Sequence, residues 1–437
     1  MKKNKRILVI GAGLAGLSTA WHLQKKGFDC QILEQESDIG GLCRSHKVDG
    51  FVFDYCGHLL HFRRKYTLNF VKGILGSNFR IHQRNAWVYS CGQYIPYPFQ
   101  ANLSGLPPRV IQECLLGVIR AVGRTKFLKR KTVNFRDWII GVFGRGIARH
   151  FMVPYNTKFW TVAPRELTCD WFDGFIPVPS IDQMITGAIQ ENPQQFGYNT
   201  RFWYPQKGGI ENLPLALSYR IRNIHTGCRI AEIDLESRIV TTAQGNKERF
   251  DYLISTIPLP ELPRLIENLP GYIKSRFGKL KWNSIFNLNL GIDRKDTKGR
   301  HWIYFPEKDF CFFRVGFYNN FSTNLCQRDK SSLYIEVSYS QNKPIDKENI
   351  TDRIKKDLRK AAIISEDDRI IVQHINDIKY GYPIYDRNYG STRSEIRKFL
   401  RKNRIITSGR YGSWSYMSMD DVIWDGKRTA EIIDKSA

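Results

Sequence analysis

The chain has 437 residues, 42% of them hydrophobic and 13% aromatic, which excludes a disordered polymer and points to two or three well-packed subdomains. Its formal net charge of +25, from 67 basic against 42 acidic residues, is spread along the whole chain without a recognisable nucleic-acid module, so no nucleic-acid partner is expected. The nine cysteines are scattered with no Cys-x-x-Cys pair or Cys/His cluster, so neither a metal site nor a disulfide framework is expected.

The first element is an apolar strand, Ile7 to Ile10, running into the turn Gly11-x-Gly13-x-x-Gly16. An amphipathic helix and a second apolar strand, Cys30 to Leu33, follow and end on Glu34. Gly11 permits the tight turn, Gly13 lets the backbone approach a pyrophosphate, and Gly16 lets the helix pack on the sheet. The helix start, at Leu14 and Ala15, offers N–H groups to the phosphates. Glu34 stands where a carboxylate can take both hydroxyls of the adenosine ribose. A dinucleotide site is therefore expected here.

Residues 49–62 read as an extended stretch closing on a Gly-His turn, and 86–99 as aromatic strands ending at two prolines. From about 103 to 192 the pattern is helical, beginning with a proline-led amphipathic helix. Its densest basic run is Arg120, Arg124, Lys126, Lys129, Arg130 and Lys131. A solvated face, attraction of an anionic substrate and a peripheral contact with anionic lipid all remain open for this charge. Short strands return at 227–256. Aromatic strands at 282–340 alternate as an antiparallel sheet with one wet face would. The chain closes, from Ile405, on a strand, a glycine-rich turn and a helix. No apolar run approaches the ~20 residues needed to cross a bilayer. A cleaved leader would remove the first strand, so a soluble, cytoplasmic protein is expected.

The extension Gly40-Gly41-Leu42 and Arg44 after Glu34 resembles the FAD fingerprint of the superfamily of amine oxidases, protoporphyrinogen oxidases, phytoene desaturases and UDP-galactopyranose mutases. Later segments, in order, resemble the mutases, particularly their eukaryotic-type branch. They are Gly57-His58, Tyr97-Pro98-Phe99-Gln100, Tyr155-Asn156-Thr157-Lys158-Phe159-Trp160 with Trp171, Asn199 to Gly209, Trp302 to Ser322, Gly381-Tyr382-Pro383, and Gly409-Arg410 through Tyr416.

The resemblance implies an α/β fold. A discontinuous Rossmann-like FAD-binding domain (1–100, 196–280 and 396–437) would carry a helical insertion (101–195) and an antiparallel sheet substrate domain (281–395). FAD would lie on Gly11, Gly13, Leu14, Ala15, Gly16, Glu34, Gly41, Leu42, Arg44, His58, Gly409, Arg410 and Tyr416. A nucleotide sugar, UDP-linked, would meet Tyr97, Phe99 and Gln100 at its base, with Asn156, Trp160 and Asn199 alongside. Arg314, Tyr382 and Tyr416 would take its diphosphate. His58 and Arg314 are the expected catalytic residues.

The implied activity is pyranose–furanose isomerisation for polysaccharide biosynthesis. Reduced flavin N5 acts as nucleophile on the anomeric carbon, and NADPH or NADH supplies the reduction. A homo-oligomer is compatible with this reading. An FAD oxidoreductase of the protoporphyrinogen oxidase, amine oxidase or desaturase type is the alternative, and a non-catalytic flavoprotein partner a third. Three departures from the mutase pattern leave the sugar open. Phe175 replaces a second diphosphate arginine, His61 replaces a flavin-facing phenylalanine, and Met417 to Asp421 lacks an Asn-Gln pair.

Overall fold

A computed structural model of the chain describes residues 3–127, 133–172, 174–192, 196–197 and 199–436. Lys129, Arg130 and Lys131 of the basic run lie outside the described residues. The first strand, β1 (Lys3–Ile10), the helix α1 (Leu14–Lys25) and the strand β2 (Phe28–Leu33) form a parallel strand–helix–strand unit. Their five-stranded parallel sheet runs Ile405–Thr407, Tyr252–Ser255, β1, β2, Ile224–His225. Ile7 and Val9 pack on one side of β1, Leu8 and Ile10 on the other. Such double burial is why this strand is continuously apolar.

A seven-stranded sheet faces it, in the order Ile370–Pro383, Trp282–Ile292, Ser331–Tyr339, Arg314–Phe317, Trp302–Tyr304, Ala86–Ser90, Gln93–Pro96. All neighbours pair antiparallel except Trp302–Tyr304 with residues 86–88. Two strands from the first hundred residues thus belong to this sheet and not to the five-stranded parallel one.

The expected wet face is corrected at the two central strands. Residues 283–292 and 331–338 are buried throughout. Their polar side is removed from the protein surface, where the hairpin Ser45–Val48/Phe51–Asp54 and the turn after it pack against it. The Cys56 N–H donates to Asn287 Oδ1 at 3.2 Å, and the Tyr318 hydroxyl donates to the Asp54 carbonyl at 2.8 Å. Buried polar side chains persist there because they are hydrogen-bonded. Only the edge strand Ile370–Pro383 keeps a buried–exposed alternation.

The helical part contains Pro108–Phe127 and Phe135–Ile147, which cross where Gly117 meets Gly146. A Cβ on Gly117 would sit 2.8 Å from the Gly146 nitrogen. No helix among the described residues is long and apolar enough to cross a membrane.

Two buried histidines tie this fold to pH. His22 and His301 are 5% and 7% exposed, and burial pushes each imidazole down to about 4. The neutral ring of His301 accepts the Asn85 N–H at Nδ1 (2.8 Å), a bond that its protonation would break. Folded pKa values below the unfolded ~6.5 mean stability that is complete above that pH and lost as pH falls through about 4. The urea midpoint should therefore drop between pH 6.5 and 4.5, with proton uptake on unfolding. A midpoint unchanged over that interval would contradict the burial assignment.

Candidate functional site

The two sheets enclose a cavity of about 600 Å³ whose lining begins at the glycine turn. The α1 N-terminus has no side-chain cap and no acidic residue in its first turn, so its free N–H groups can meet an anion. Gly11 has φ +98°, and a Cβ there would lie 2.4 Å from Thr256 Oγ1. A Cβ on Gly16 would lie 1.9 Å from the Gly11 carbonyl oxygen. Those two glycines are demanded by the chain itself. Gly13 is different. A Cβ there would meet only Gly41 Cα, at 3.9 Å, so its missing side chain leaves room for a ligand. Glu34 accepts the N–H groups of Ala12 (2.6 Å) and Glu36 (3.0 Å), which fixes the carboxylate at the cavity wall.

Tyr304, Arg314 and Glu336 line the far wall and belong to one row across the seven-stranded sheet. The strand registers set Tyr304 opposite Arg314, Arg314 opposite Glu336, Glu336 opposite Asn287, and Asn287 opposite Asn376. Directly opposed residues on one face interact, and here they form a buried bidentate ion pair. Arg314 Nη2 donates to Glu336 Oε1 at 2.9 Å and Nε donates to Oε2. Burial opposes the Arg314 charge, but Glu336 more than offsets this and holds the guanidinium charged.

At the closing segment Arg410 lies over the Tyr382 ring at 4.5 Å and the Tyr416 ring at 5.0 Å. The two tyrosines stack at 5.8 Å. Burial raises both hydroxyls above their ordinary pKa, so they remain donors at neutral pH. Nε and Nη2 of Arg410 and Nδ1 of His58 are buried without a hydrogen-bond partner among the described residues. Burial first, and then the Arg410 charge, push His58 down to about 4; its imidazole is neutral.

Of the residues expected from sequence, Gly11, Gly13, Leu14, Ala15, Glu34, Gly41, Leu42, Arg44, His58, Asn199, Arg314, Tyr382, Arg410 and Tyr416 line this one cavity. Gly16 and Gly409 stand behind it, each in close contact with the α1 turn.

The expected base platform differs. Phe99 is fully buried and stacks on Phe151 at 5.0 Å. The Gln100 amide donates to the Pro177 carbonyl at 2.7 Å. The helix Ile181–Ile189 covers this turn, since Gly187 lies against the Ala101 carbonyl. Phe99 and Gln100 therefore do not line the cavity. Asn156 donates to the Met152 carbonyl, Trp160 packs on Trp171 at 4.6 Å, and Tyr97 lies one ring behind Tyr304.

Phe175 packs edge-on against Tyr416 at 5.0 Å and carries the Arg63 guanidinium over its ring at 4.8 Å. Neither Lys158 nor Arg165 turns toward this cavity in place of the arginine that Phe175 replaces: Lys158 is buried with its ammonium donating to the carbonyls of Phe305, Glu307 and Phe312, and Arg165 lines a separate hollow of about 500 Å³.

Sequence reasoning missed Glu336, Tyr304, Thr256 and Lys379, all in the lining. A glutamate at the centre of the apolar strand SLYIEVSYS was the one legible signal among them.

Residues 14–434 match the family described as flavin containing amine oxidoreductase. A crystal structure of reduced UDP-galactopyranose mutase superposes with a TM-score of 0.94 at 26% identity, covering 99% of this chain and 96% of that one. A probable UDP-galactopyranose mutase from Klebsiella pneumoniae is 25% identical over 171 residues, 38% of this chain and 43% of that protein. The 4,4'-diaponeurosporene oxygenase of Staphylococcus aureus (strain bovine RF122 / ET3-1) is 44% identical over 291 residues, 58% of this chain and 56% of that one. Other curated relatives are matched over 10% to 60% of their own length.

Proposed function

The chain belongs to the flavin containing amine oxidoreductase family, and from that premise we propose that it is an FAD-dependent mutase interconverting pyranose and furanose forms of a UDP-linked sugar. The observation that carries this reading is the cluster of donors in one cavity: Arg314, Tyr382 and Tyr416. A guanidinium and two protonated phenols suit a diphosphate, because charge-assisted bonds to phosphate are strong. A hydrocarbon substrate such as a carotenoid would offer the two phenols no acceptor, at a cost.

The open α1 N-terminus and the space over Gly13 fit the pyrophosphate of FAD, and Glu34 its ribose. Gly41, Leu42, Arg44, His58 and Arg410 extend that site toward the sheet. When bound and reduced, with NADPH or NADH as electron source, the flavin supplies the nucleophile for the anomeric carbon. The chain's own residues bind, orient and balance charge. Arg314, Tyr382 and Tyr416 donate to the departing diphosphate as its charge develops, and being fixed in place they need no reorganisation. His58, neutral, adds no competing charge beside Arg410.

The likeness to the staphylococcal oxygenase favours a second reading, FAD-dependent oxidation of an apolar substrate. A titration separates the two. UDP-galactose added to dithionite-reduced protein should perturb the flavin absorbance without reoxidising it. Reduction of the oxidised flavin by a porphyrinogen, amine or carotenoid substrate, with no response of the reduced protein to the UDP-sugar, would overturn the mutase reading.

A further inference from the structure

Arg84 does not line the cavity, yet it holds a residue that does. It is 3% exposed and follows the strand Arg80–Gln83, which pairs antiparallel with Arg201–Tyr204. Its backbone N–H donates to the Thr200 carbonyl at 2.9 Å. Its Nη2 donates to the Phe196 carbonyl at 2.9 Å, and its Nη1 donates to Asn199 Oδ1. The guanidinium lies 4.8 Å over the Tyr97 ring, which in turn packs at 5.0 Å on Tyr304 of the cavity wall. One arginine thus clamps the segment leading to Asn199 by main chain and side chain together.

This arrangement settles which way the Asn199 amide points. A guanidinium has donors and no acceptor, so only the carbonyl oxygen of the amide can face it. Because Asn199 lines the cavity, its NH2 group is left as the end available to a ligand. We propose that Arg84 is a positioning residue that makes Asn199 a fixed hydrogen-bond donor to an oxygen of the bound nucleotide sugar. The inference rests on the nucleotide-sugar reading and deepens it: the site recognises an acceptor at this point and rejects a donor-only or apolar group. Arg84 polarises the amide as well as orienting it, since a charge-assisted bond to the carbonyl strengthens the N–H on the other side.

The test is a double-mutant cycle read by calorimetric titration of UDP-galactose into reduced protein. Arg84→Met and Asn199→Ala should each weaken binding about tenfold. In the Asn199→Ala background, Arg84→Met should add less than about twofold, since its effect runs through that amide. Losses that multiply, or an undiminished affinity in flavin-loaded Arg84→Met, overturn the proposal.

Asn199→Asp guards against a variant that does not fold. Its carboxylate can pair with Arg84, so flavin content and thermal midpoint should hold. Its outward oxygen can no longer donate, so affinity should fall at least about tenfold. Full affinity in Asn199→Asp overturns the donor assignment. No binding by the unsubstituted protein removes the nucleotide-sugar reading, and this inference with it.

Discussion

Gly13→Val should purify as folded protein without colour, its flavin content falling from near one per chain to below about a tenth. The backbone at Gly13 is extended, φ −70° and ψ 175°, which any residue adopts, and a Cβ there makes only ordinary contact with Gly41. The chain therefore has room for a Cβ at this position. The pyrophosphate does not tolerate the branch, because its approach to the helix start crosses the space the branch would fill. Gly16→Val is the contrasting control: its Cβ would overlap the Gly11 carbonyl and drive the helix from the sheet. That variant should fail in folding, not in colour alone. Full flavin occupancy in Gly13→Val would show that the pyrophosphate lies elsewhere.

The second large effect falls on Arg314 and Glu336. Arg314→Gln leaves the Glu336 carboxylate buried and unpaired, which costs about 3–5 kcal/mol of stability, while Glu336→Gln leaves Arg314, 20% exposed on its side chain and facing the cavity, and should cost less. The neutral double variant should recover much of that loss. A simple truncation of Arg314 is thus no clean probe of substrate binding, because Glu336, 2% exposed on its side chain, is its obligate partner. In the double variant UDP affinity should still fall by roughly 2–4 kcal/mol, since a guanidinium facing the diphosphate is gone. Single variants as stable as the unsubstituted protein would contradict the buried pair, and unchanged UDP affinity in the double variant would remove Arg314 from the diphosphate site.

How much of this was legible in the sequence differs by element. β1, the glycine turn, α1 and the position of Glu34 were readable because they depend on local spacing and on Gly11 and Gly16, where the chain leaves no room for a side chain. The row Tyr304, Arg314, Glu336 and Asn287 was not, since it exists only once four strands are in register. Arg314 came from the resemblance; Glu336, which neutralises it, came from the structure. The wet face expected of the central strands failed for a similar reason: a polar–apolar alternation marks two different faces, and what covers the polar one is tertiary. Phe99 and Gln100 were expected at the cavity from a segment match. The helix that covers them, Ile181–Ile189, is a long-range neighbour that no local pattern announces. Arg84 and Asn199, far apart in sequence, meet for the same reason.

The central claim is tested most directly by turnover under anaerobic conditions. Protein reduced once with dithionite or NAD(P)H and given UDP-galactopyranose should accumulate the furanose form to equilibrium over many turnovers, consuming no further reductant, while the oxidised protein converts none. Stoichiometric consumption of an oxidant with a porphyrin, amine or carotenoid substrate, and no furanose from the reduced protein, would contradict the account.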